Sequence, residues 1–340
     1  METMTNLHIS QHALEQWLYQ MVNSKIEVFA PVHDGEKTDF RLLAFGDKVA
    51  DDYVQTTQSA KRFAFPKAEK LFSYRKEGKD VTLQERDLND FPEIVLWKVR
   101  PCDAAGFAPL TGIFNWDYKD DIYNARRDKI TLVSFSCTRC DEYCFCTSVH
   151  GGPGNTEGSD IQVTELPDRS ALVEILTPKG KLLIERFVQE TTPADGIDKE
   201  TYLASVPVRF KLELLREKLE GAFDSPIWKQ QSERCLGCGA CAFVCPTCAC
   251  FDIQEDARGS SGSRIRCWAS CGFSLFTQHT SGHNPRPTQS TRWRQRILHK
   301  FSYMPDRINE TGCTGCGRCS RACPVDMNIV EHLMSIENHG

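Results

Sequence analysis

The sequence contains no long hydrophobic run, because its apolar stretches, such as Ile130 to Phe135, stop after a few residues. A transmembrane helix needs about 20 consecutive and mainly apolar residues. The first ten residues, METMTNLHIS, lack the basic segment and the apolar segment of a signal peptide. We therefore expect a cytoplasmic protein without direct insertion into a membrane.

Net charge is also scarce, at −5 over 340 residues. A charge this small and acidic gives no reason to expect nucleic acid as a partner. The sequence has no P-loop and no HExxH zinc-protease motif. It therefore gives no indication of phosphoryl transfer or of metal-assisted hydrolysis.

Cysteine is abundant instead, with 17 residues. Without a secretion signal, this number points to a reducing compartment where thiolates bind metals rather than form disulfides. Eight cysteines form two runs, CLGCGACAFVCP from Cys235 to Pro246 and CTGCGRCSRACP from Cys313 to Pro324. Both follow C-x2-C-x2-C-x3-C-P, in which three cysteines bind one iron–sulfur cluster and the fourth binds the other. Zinc sites usually contain paired C-x2-C halves, so the spacing favours clusters over zinc or disulfides.

This crossed pattern predicts two [4Fe-4S] clusters and assigns four ligands to each. The first set of ligands is Cys235, Cys238, Cys241 and Cys323. The second set is Cys313, Cys316, Cys319 and Cys245. Electron transfer is the function that such a pair of clusters indicates.

Five further cysteines lie earlier in the chain, each group directly after a β-like run, where loops commonly form sites. They are Cys102 in RPCD and Cys137, Cys140, Cys144 and Cys146 in SCTRCDEYCFCTS. Four of these thiolates would complete a third cluster, with Cys102 as the remote ligand. A structural zinc ion or a group of free thiols is the alternative.

The last four cysteines match no known spacing. They are Cys248, Cys250, Cys267 and Cys271. They are interpreted either as an additional metal site or as metal-free cysteines buried beside the clusters.

The periodicity predicts an α+β protein, with a mixed α/β domain at residues 1–225 and a mainly α-helical ferredoxin-like dicluster domain at 226–340. Ser10 is expected to cap a helix, and a second helix is expected from Val208 to Leu219. Pro167 to Arg169 is expected to form a turn, Gly221 to Glu233 a linker, and Arg258 to Arg264 a flexible loop within a largely non-β insert. Helices are also expected at 273–278 and 291–301. The predicted strands are Ile26 to Ala30, Phe40 to Phe45, Ile94 to Val99, Ile130 to Phe135, Ile161 to Leu166, Ala171 to Leu176 and Leu182 to Phe187.

Several motifs together resemble a known family. RPCD, CFCTS, the nearby GGPG and the two cysteine runs resemble the iron–sulfur β subunits of cytoplasmic [NiFe] sulfhydrogenases. They are equally similar to the iron–sulfur subunits of anaerobic sulfite reductases. PTCACFD, SGHNPRP and HKFSY extend the resemblance from about Phe91 to Val330, and the residues before Phe91 match it loosely.

The resemblance implies an electron-transfer subunit without substrate chemistry of its own. Its partners would be a subunit that carries FAD and exchanges hydride with NAD(P)H, and a catalytic subunit that reduces protons or sulfite. The family pattern also implies a third set of ligands, Cys102, Cys137, Cys144 and Cys146. Cys140 is an additional thiol beside this set.

Two other functions and two weaker signals stay open at this stage. The chain could be a flavin-containing iron–sulfur reductase with its own substrate, or a free-standing ferredoxin-like carrier, although a simple carrier does not need the large first domain.

HGGPGNTEGSD at 150–160 could hold a flavin pyrophosphate, or let the backbone approach a cluster closely. The basic residues of the insert could dock an acidic partner or compensate the charge of the clusters; they are Arg286, Arg292, Arg294, Arg296, Lys300 and Arg307.

Overall fold

The computed structural model describes residues 5–338, which fold into two β-sheets surrounded by helices. The strands are β1 (Thr5–Ile9), β2 (Glu27–Asp34), β3 (Lys37–Leu42), β4 (Ala68–Glu77), β5 (Asp80–Glu85), β6 (Ile94–Val99), β7 (Ile130–Phe135), β8 (Ile161–Glu165), β9 (Ala171–Ile175), β10 (Thr192–Pro193), β11 (Phe251–Arg258) and β12 (Ser261–Trp268). The α-helices are α1 (Gln11–Val22), α2 (Pro101–Ala105), α3 (Phe107–Phe114), α4 (Asp121–Asp128), α5 (Pro178–Phe187), α6 (Leu212–Glu220), α7 (Ile227–Ser232), α8 (Ala240–Phe243), α9 (Gln289–Leu298), α10 (Met304–Ile308), α11 (Arg318–Arg321) and α12 (Ile329–Glu337).

The larger sheet has eight strands in the order β10-β1-β9-β8-β7-β6-β2-β3. Its centre, β2, β6, β7 and β8, is parallel, and the outer pairs are antiparallel. All residues of β6 and β7 are buried, since helices cover both faces, which is the usual condition of parallel strands. Trp17 of α1 and Phe187 of α5 pack on one face, while Leu110 of α3 and Tyr123 of α4 pack on the other.

Two adjacent parallel strands bring cysteine-bearing loops to one edge of this sheet. β6 ends at Val99 and is followed by Cys102 in α2. β7 ends at Phe135 and is followed by Cys137. Parallel neighbours have their carboxyl ends at the same edge, where α/β proteins commonly form their sites.

The smaller sheet, in the order β11-β12-β4-β5, joins segments that are far apart in sequence. β12 pairs antiparallel with β4. Between these strands the buried carboxylate of Glu69 binds Arg266 of β12 at 2.6 Å and also Arg126 of α4. The sheet therefore contains strands from both sides of the boundary predicted at residues 225 and 226, and that boundary stays a prediction.

The hairpin of β11 and β12 shows that the prediction of a non-β insert is wrong at these residues. The predicted loop at 258–264 contains strand residues and the hairpin turn, where Gly259 adopts the left-handed conformation with φ +61°. Residues 289–303 are helical as predicted, whereas 273–278 form turns rather than a helix. The part of the chain after residue 226 is thus mixed, and its mainly helical character is not confirmed.

The prediction is also wrong for residues 182–187, which belong to helix α5 and not to a strand. Thr177 caps this helix by accepting a hydrogen bond from the Gly180 N–H, and Pro178 stands in its first turn. The apolar residues Leu183 and Ile184 are buried on its inner face. The apolar run was too short to distinguish a strand from one face of a helix.

The other local predictions are confirmed with small shifts. Ser10 caps α1 by accepting from the Ala13 N–H, and six of the seven predicted strands occur. The turn after β8 contains Arg169 at φ +67°. The helix predicted from Val208 begins at Leu212, and the predicted linker contains α7. None of the helices between residues 5 and 338 is long and apolar enough to cross a membrane.

We expect Arg266→Ala to destabilise the fold by about 3 kcal/mol, because Arg266 and Glu69 are a buried ion pair and removal of one partner leaves a poorly compensated charge. Urea unfolding of the variant and the wild type, at equal iron content, measures the difference. Arg264→Ala, in the exposed pair with Glu255, is the control and should cost less than about 1 kcal/mol. Equal losses in both variants would contradict the role of the buried pair.

Candidate metal centres

The cysteines of the third set line one cavity at the edge of the larger sheet. Backbone of the glycine-rich loop at 150–160 and side chains of neighbouring segments complete the lining of this cavity. The lining includes Cys102, Cys137, Cys144, Cys146, Cys140, Gln55, Gly152 and Pro153. The strand ends of β6 and β7 thus bring Cys102 together with the cysteines of the 137–146 loop.

The cysteines of the first set line a second cavity. Cys235, Cys238 and Cys241 come from the loop before and within α8, and Cys323 comes from the other run, far along the chain. The fourth cysteine of the second run therefore reaches the first run, as the crossed pattern predicts. Cys238 is exposed, so this cavity lies at the protein surface.

The thiols of the second set lie close together in the interior. Burial raises the pKa of Cys319 to about 12; Arg296 opposes this rise, and the nearby thiols of Cys316, Cys245 and Cys313 add to it. Cys245 comes from the first run, which completes the reciprocal crossing.

The second set lies between the other two. Cys316 also lines the cavity of the third set, and Cys319 also lines the cavity of the first set. The three sets are therefore arranged in a series, third, second, first, with the first at the surface.

Glycine in the second cysteine run allows the close contact between the second and third sets. Gly315 has φ +66°, and a Cβ atom there would collide with the backbone of Cys146. The Phe145 N–H donates a hydrogen bond of 2.9 Å to the carbonyl oxygen of Gly315. Any side chain at this position would push the two cysteine loops apart.

A buried ion pair links the same two loops. The guanidinium of Arg318, in the second run, binds the carboxylate of Asp103, which follows Cys102. Arg318 also donates to the carbonyl and the hydroxyl oxygens of Thr56 at 2.8 Å each. Both charged side chains are almost completely buried, at 2% and 1% exposure.

Arg321 makes a second link of this kind. It donates to both carboxylate oxygens of Asp141 and lies 3.4 Å from the Cys144 sulfur. Hydrogen bonds and charge from Arg321 lower the pKa of Asp141 against the effect of burial. Its positive charge is thus neutralised next to the third set.

Each set contains a sulfur that accepts a hydrogen bond from the end of a long side chain, and in the third set Arg321 donates to Cys144 as well. The Gln55 amide donates to Cys102 at 2.9 Å, and the Gln289 amide donates to Cys235 at 3.0 Å. In the second set the donor is an ammonium group, because Lys300 Nζ lies 3.3 Å from the Cys245 sulfur.

Several buried cations lie beside the first and second sets. Lys61, Arg296 and Lys300 are each at most 4% exposed, and none has a carboxylate partner among the residues that the structure describes. Lys61 donates to two backbone carbonyls, and burial lowers its pKa. Burial would also lower the pKa of Lys300, but electrostatic interaction with the sulfurs of Cys245 and Cys248 outweighs it and raises the pKa.

Uncompensated buried cations are costly, so this region of the protein requires an anionic occupant. Neither the cavity of the first set nor that of the third is lined by a carboxylate. All 17 cysteines are free thiols. Thiol-rich walls without carboxylates suit soft sulfur-ligated groups rather than calcium or magnesium, so the residues present fit iron–sulfur clusters.

Burial makes some of these thiols weaker acids than a free cysteine. Burial raises the pKa of Cys313 to about 11 and that of Cys146 to about 12. Iron binds thiolates, so cluster assembly at neutral pH must release protons. Within residues 5–338, no group of three or more His, Cys, Asp or Glu side chains is placed to hold a single metal ion.

The cysteines without an assignment lie mostly next to the first two sets. Cys248 contacts Cys245, and Cys250 contacts Cys271, which also lines the cavity of the first set. Cys267 lies in β12 opposite Asp252. Both interpretations of these four cysteines, an additional metal site or metal-free packing, stay predictions. Cys140 points to the carbonyl oxygen of Ser205, at 3.3 Å.

The structure also separates the alternatives for the glycine-rich loop. The Cys137 N–H donates to the carbonyl oxygen of Pro153, and Gly151 approaches the backbone of Cys146. The loop therefore packs against the third set, which supports the interpretation of a close backbone approach.

The basic insert does not form one exposed docking patch. Arg292, Arg296 and Lys300 are buried, so the docking interpretation is wrong for these three. Arg307 is paired with Asp117 at the surface, and Arg294 covers the ring of Phe223. Trp293, in the same segment, is buried in the core with α7 and α12.

Sequence reasoning missed the side chains that act on the sulfurs. Gln55 and Gln289 carry no motif, and Asp103 is recognisable only as part of RPCD. Lys300 is one of the six basic residues for which the sequence left open either docking or compensation of the cluster charge, and no motif distinguishes it from the other five. Only the three-dimensional arrangement singles these residues out.

Two comparisons relate the chain to known proteins. Residues 234–327 match the model of a 4Fe-4S dicluster domain. The chain is 32% identical over 314 residues to sulfhydrogenase 2 subunit beta of Pyrococcus furiosus, which covers 90% of this chain and 91% of that protein. No solved structure matches the chain.

We expect Cys323→Ser to damage the cluster of the first set, because Cys323 shares a cavity with Cys235, Cys238 and Cys241. EPR of the reduced variant should lack or alter one signal, and the same signal should change in Cys235→Ser. Cys267→Ser, in strand β12, is the control and should leave the signals intact. Loss of the signal that depends on Cys313, with the Cys235 signal preserved, would rule out the crossed ligation.

Proposed function

Because the chain belongs to the family of sulfhydrogenase beta subunits, and is an iron–sulfur electron-transfer subunit with a 4Fe-4S dicluster domain, we propose that it serves a cytoplasmic multi-subunit oxidoreductase. In this proposal it connects a flavin subunit that uses NAD(P)H to a catalytic subunit, either a [NiFe] hydrogenase or a sulfite reductase. The chain itself carries out no substrate chemistry.

The ligands in this proposal are the three sets already described, one set for each [4Fe-4S] cluster. Such clusters accept and release single electrons. The protein holds the ligand sulfurs, excludes water from most of them and supplies hydrogen bonds and charge around them. The third cluster and its ligands Cys102, Cys137, Cys144 and Cys146 are part of the proposal, supported by their common cavity.

The observation that carries the proposal is the sharing of lining residues between neighbouring sites. Cys316 and Cys319 belong to the second set and also line the cavities on either side. A continuous series of three redox sites fits a relay between two partners, whereas a site for a substrate needs an open cavity with polar groups of its own.

The exposure of Cys238 indicates which end of the series exchanges electrons with a partner. Leu236, close to it in the same run, is 67% exposed, and an exposed apolar residue beside a ligand suits a docking contact. We propose that one partner subunit binds over the first set. The other partner exchanges electrons at the third set.

The first test is the metal content of the isolated chain, purified without oxygen. Three clusters of four irons require about twelve iron and about twelve sulfide per chain, and we expect these values with no zinc and no bound flavin. A second preparation with Cys102→Ser should retain about eight of each. About eight in the wild type would limit the relay to the first two sets, and bound flavin would favour a reductase with its own substrate.

The second test identifies the partners in the native complex. Affinity purification of the tagged chain from its own cells should recover one flavin-containing protein together with one metal-containing catalytic protein. Nickel in the complex would identify a hydrogenase, and siroheme would identify a sulfite reductase. Recovery of the chain as a stable monomer, fully loaded with iron, would contradict the proposal of a fixed subunit.

A further inference from the structure

The donors to the ligand sulfurs differ in uncompensated charge from one set to the next. Arg321, which donates to Cys144 of the third set at 3.4 Å, is paired with the carboxylate of Asp141. The amides of Gln55 and Gln289, which donate to the third and first sets, are neutral. Lys300, which donates to Cys245 of the second set, is an ammonium ion.

The surroundings of Lys300 fix its ammonium group against this sulfur. Lys300 is 3% exposed. Its Nζ also donates to the Thr247 hydroxyl at 3.0 Å and to the carbonyl oxygen of Gly312 at 2.5 Å. The three acceptors of this ammonium group, including the Cys245 sulfur, lie next to the second set, and none is a carboxylate. The charge is therefore left for the cluster to neutralise.

A charge held in this way favours the reduced form of a cluster. Addition of an electron makes the cluster and its four thiolates more negative, and a buried cation a few ångströms away stabilises that extra charge. A neutral amide donates a hydrogen bond but brings no net charge, so its effect is smaller. The reduction potential should therefore be raised most at the cluster of the second set, beside the ammonium group of Lys300, which has no carboxylate partner.

The arginines of the second cysteine run do not cancel this difference. Arg321, beside Cys144 of the third set, is neutralised by Asp141. Arg318 is neutralised by Asp103. Their charges therefore contribute little to the potential of either neighbouring cluster.

Other buried cations also lie near the clusters. Arg296 lies near both Cys241 of the first set and Cys319 of the second, so it favours neither. Lys61 lies near Cys245 and acts in the same direction as Lys300. Arg100 lies near Cys137 and Cys102 of the third set, but it donates to the backbone carbonyls of Tyr53 and Val54 rather than to a ligand sulfur, and Glu165 is a further charge near it.

We propose that Lys300 gives the cluster of the second set the highest reduction potential of the three, so that an electron resides in the middle of the series between transfers. The inference rests on the proposed function, because it requires clusters at these sites. In this role Lys300 holds a positive charge beside the cluster and does not bind its iron. The two end clusters would then act as the points of entry and exit.

The experiment is an EPR-monitored redox titration of the full chain, purified without oxygen, with iron measured in each sample. The variants are Lys300→Gln, which removes the charge, and Lys300→Arg, which keeps it. Lys229→Gln, at an exposed lysine of α7, is the matched control for loss of one charge in the same part of the chain. Cys245→Ser identifies which signal belongs to the second set.

We expect Lys300→Gln to lower the equilibrium constant for reduction of that cluster about tenfold, which is about 59 mV for one electron. Lys300→Arg and Lys229→Gln should leave the potential at the wild-type value, and the other two clusters should not shift in any variant. A fully loaded Lys300→Gln protein without this shift would overturn the inference.

A further readout does not depend on the stability of the glutamine variant. In the wild type, the signal that changes in Cys245→Ser should be the first to appear as the potential is lowered. If another cluster is reduced first, the inference is wrong even though the relay stands. If the wild type itself contains fewer than three clusters, it is the proposed function that fails at the missing site.

Discussion

The buried pair of Arg318 and Asp103 is the contact on which the arrangement of the sites depends. One partner lies between two cysteines of the second run, and the other follows Cys102 directly. A buried ion pair contributes little net stability, but the loss of one partner is costly, so such a pair favours one specific packing. Here it fixes the second set against the third, and Gly315 allows the backbones to meet at that point.

The same region shows how charge is distributed in the interior. Arg318 and Arg321, which reach the third set, each bind a carboxylate, whereas Lys61, Arg296 and Lys300 bind none within the part of the chain that the structure describes. These three unpaired cations gather where the first and second sets meet. The polypeptide therefore does not neutralise these positive charges itself. Bound anionic groups would stabilise the fold as well as give it function.

Sequence patterns were sufficient where chemistry depends on spacing or on short-range geometry. The spacing of the two cysteine runs predicted that Cys323 lies with the cysteines of the first run, and both line one cavity. Apolar runs such as Ile130 to Phe135 predicted the central strands. The hairpin of β11 and β12 was missed because its strands are largely polar and exposed, and they form by pairing with β4, as the contact of Arg266 with Glu69 across a separation of 197 residues shows. The contact of Lys300 with Cys245 was missed for the same reason, since no local pattern records it.

The crossed grouping has a consequence for biogenesis. With these ligands, the first and second sets are incomplete until synthesis has passed Cys323 and Cys319 respectively, whereas the third set is complete once Cys146 has been made. Iron and sulfide can therefore be delivered to the third site on a nascent chain, but the other two must be filled after the two halves have come together. The order of the cysteines along the chain thus sets the earliest point in synthesis at which each site can receive its cluster.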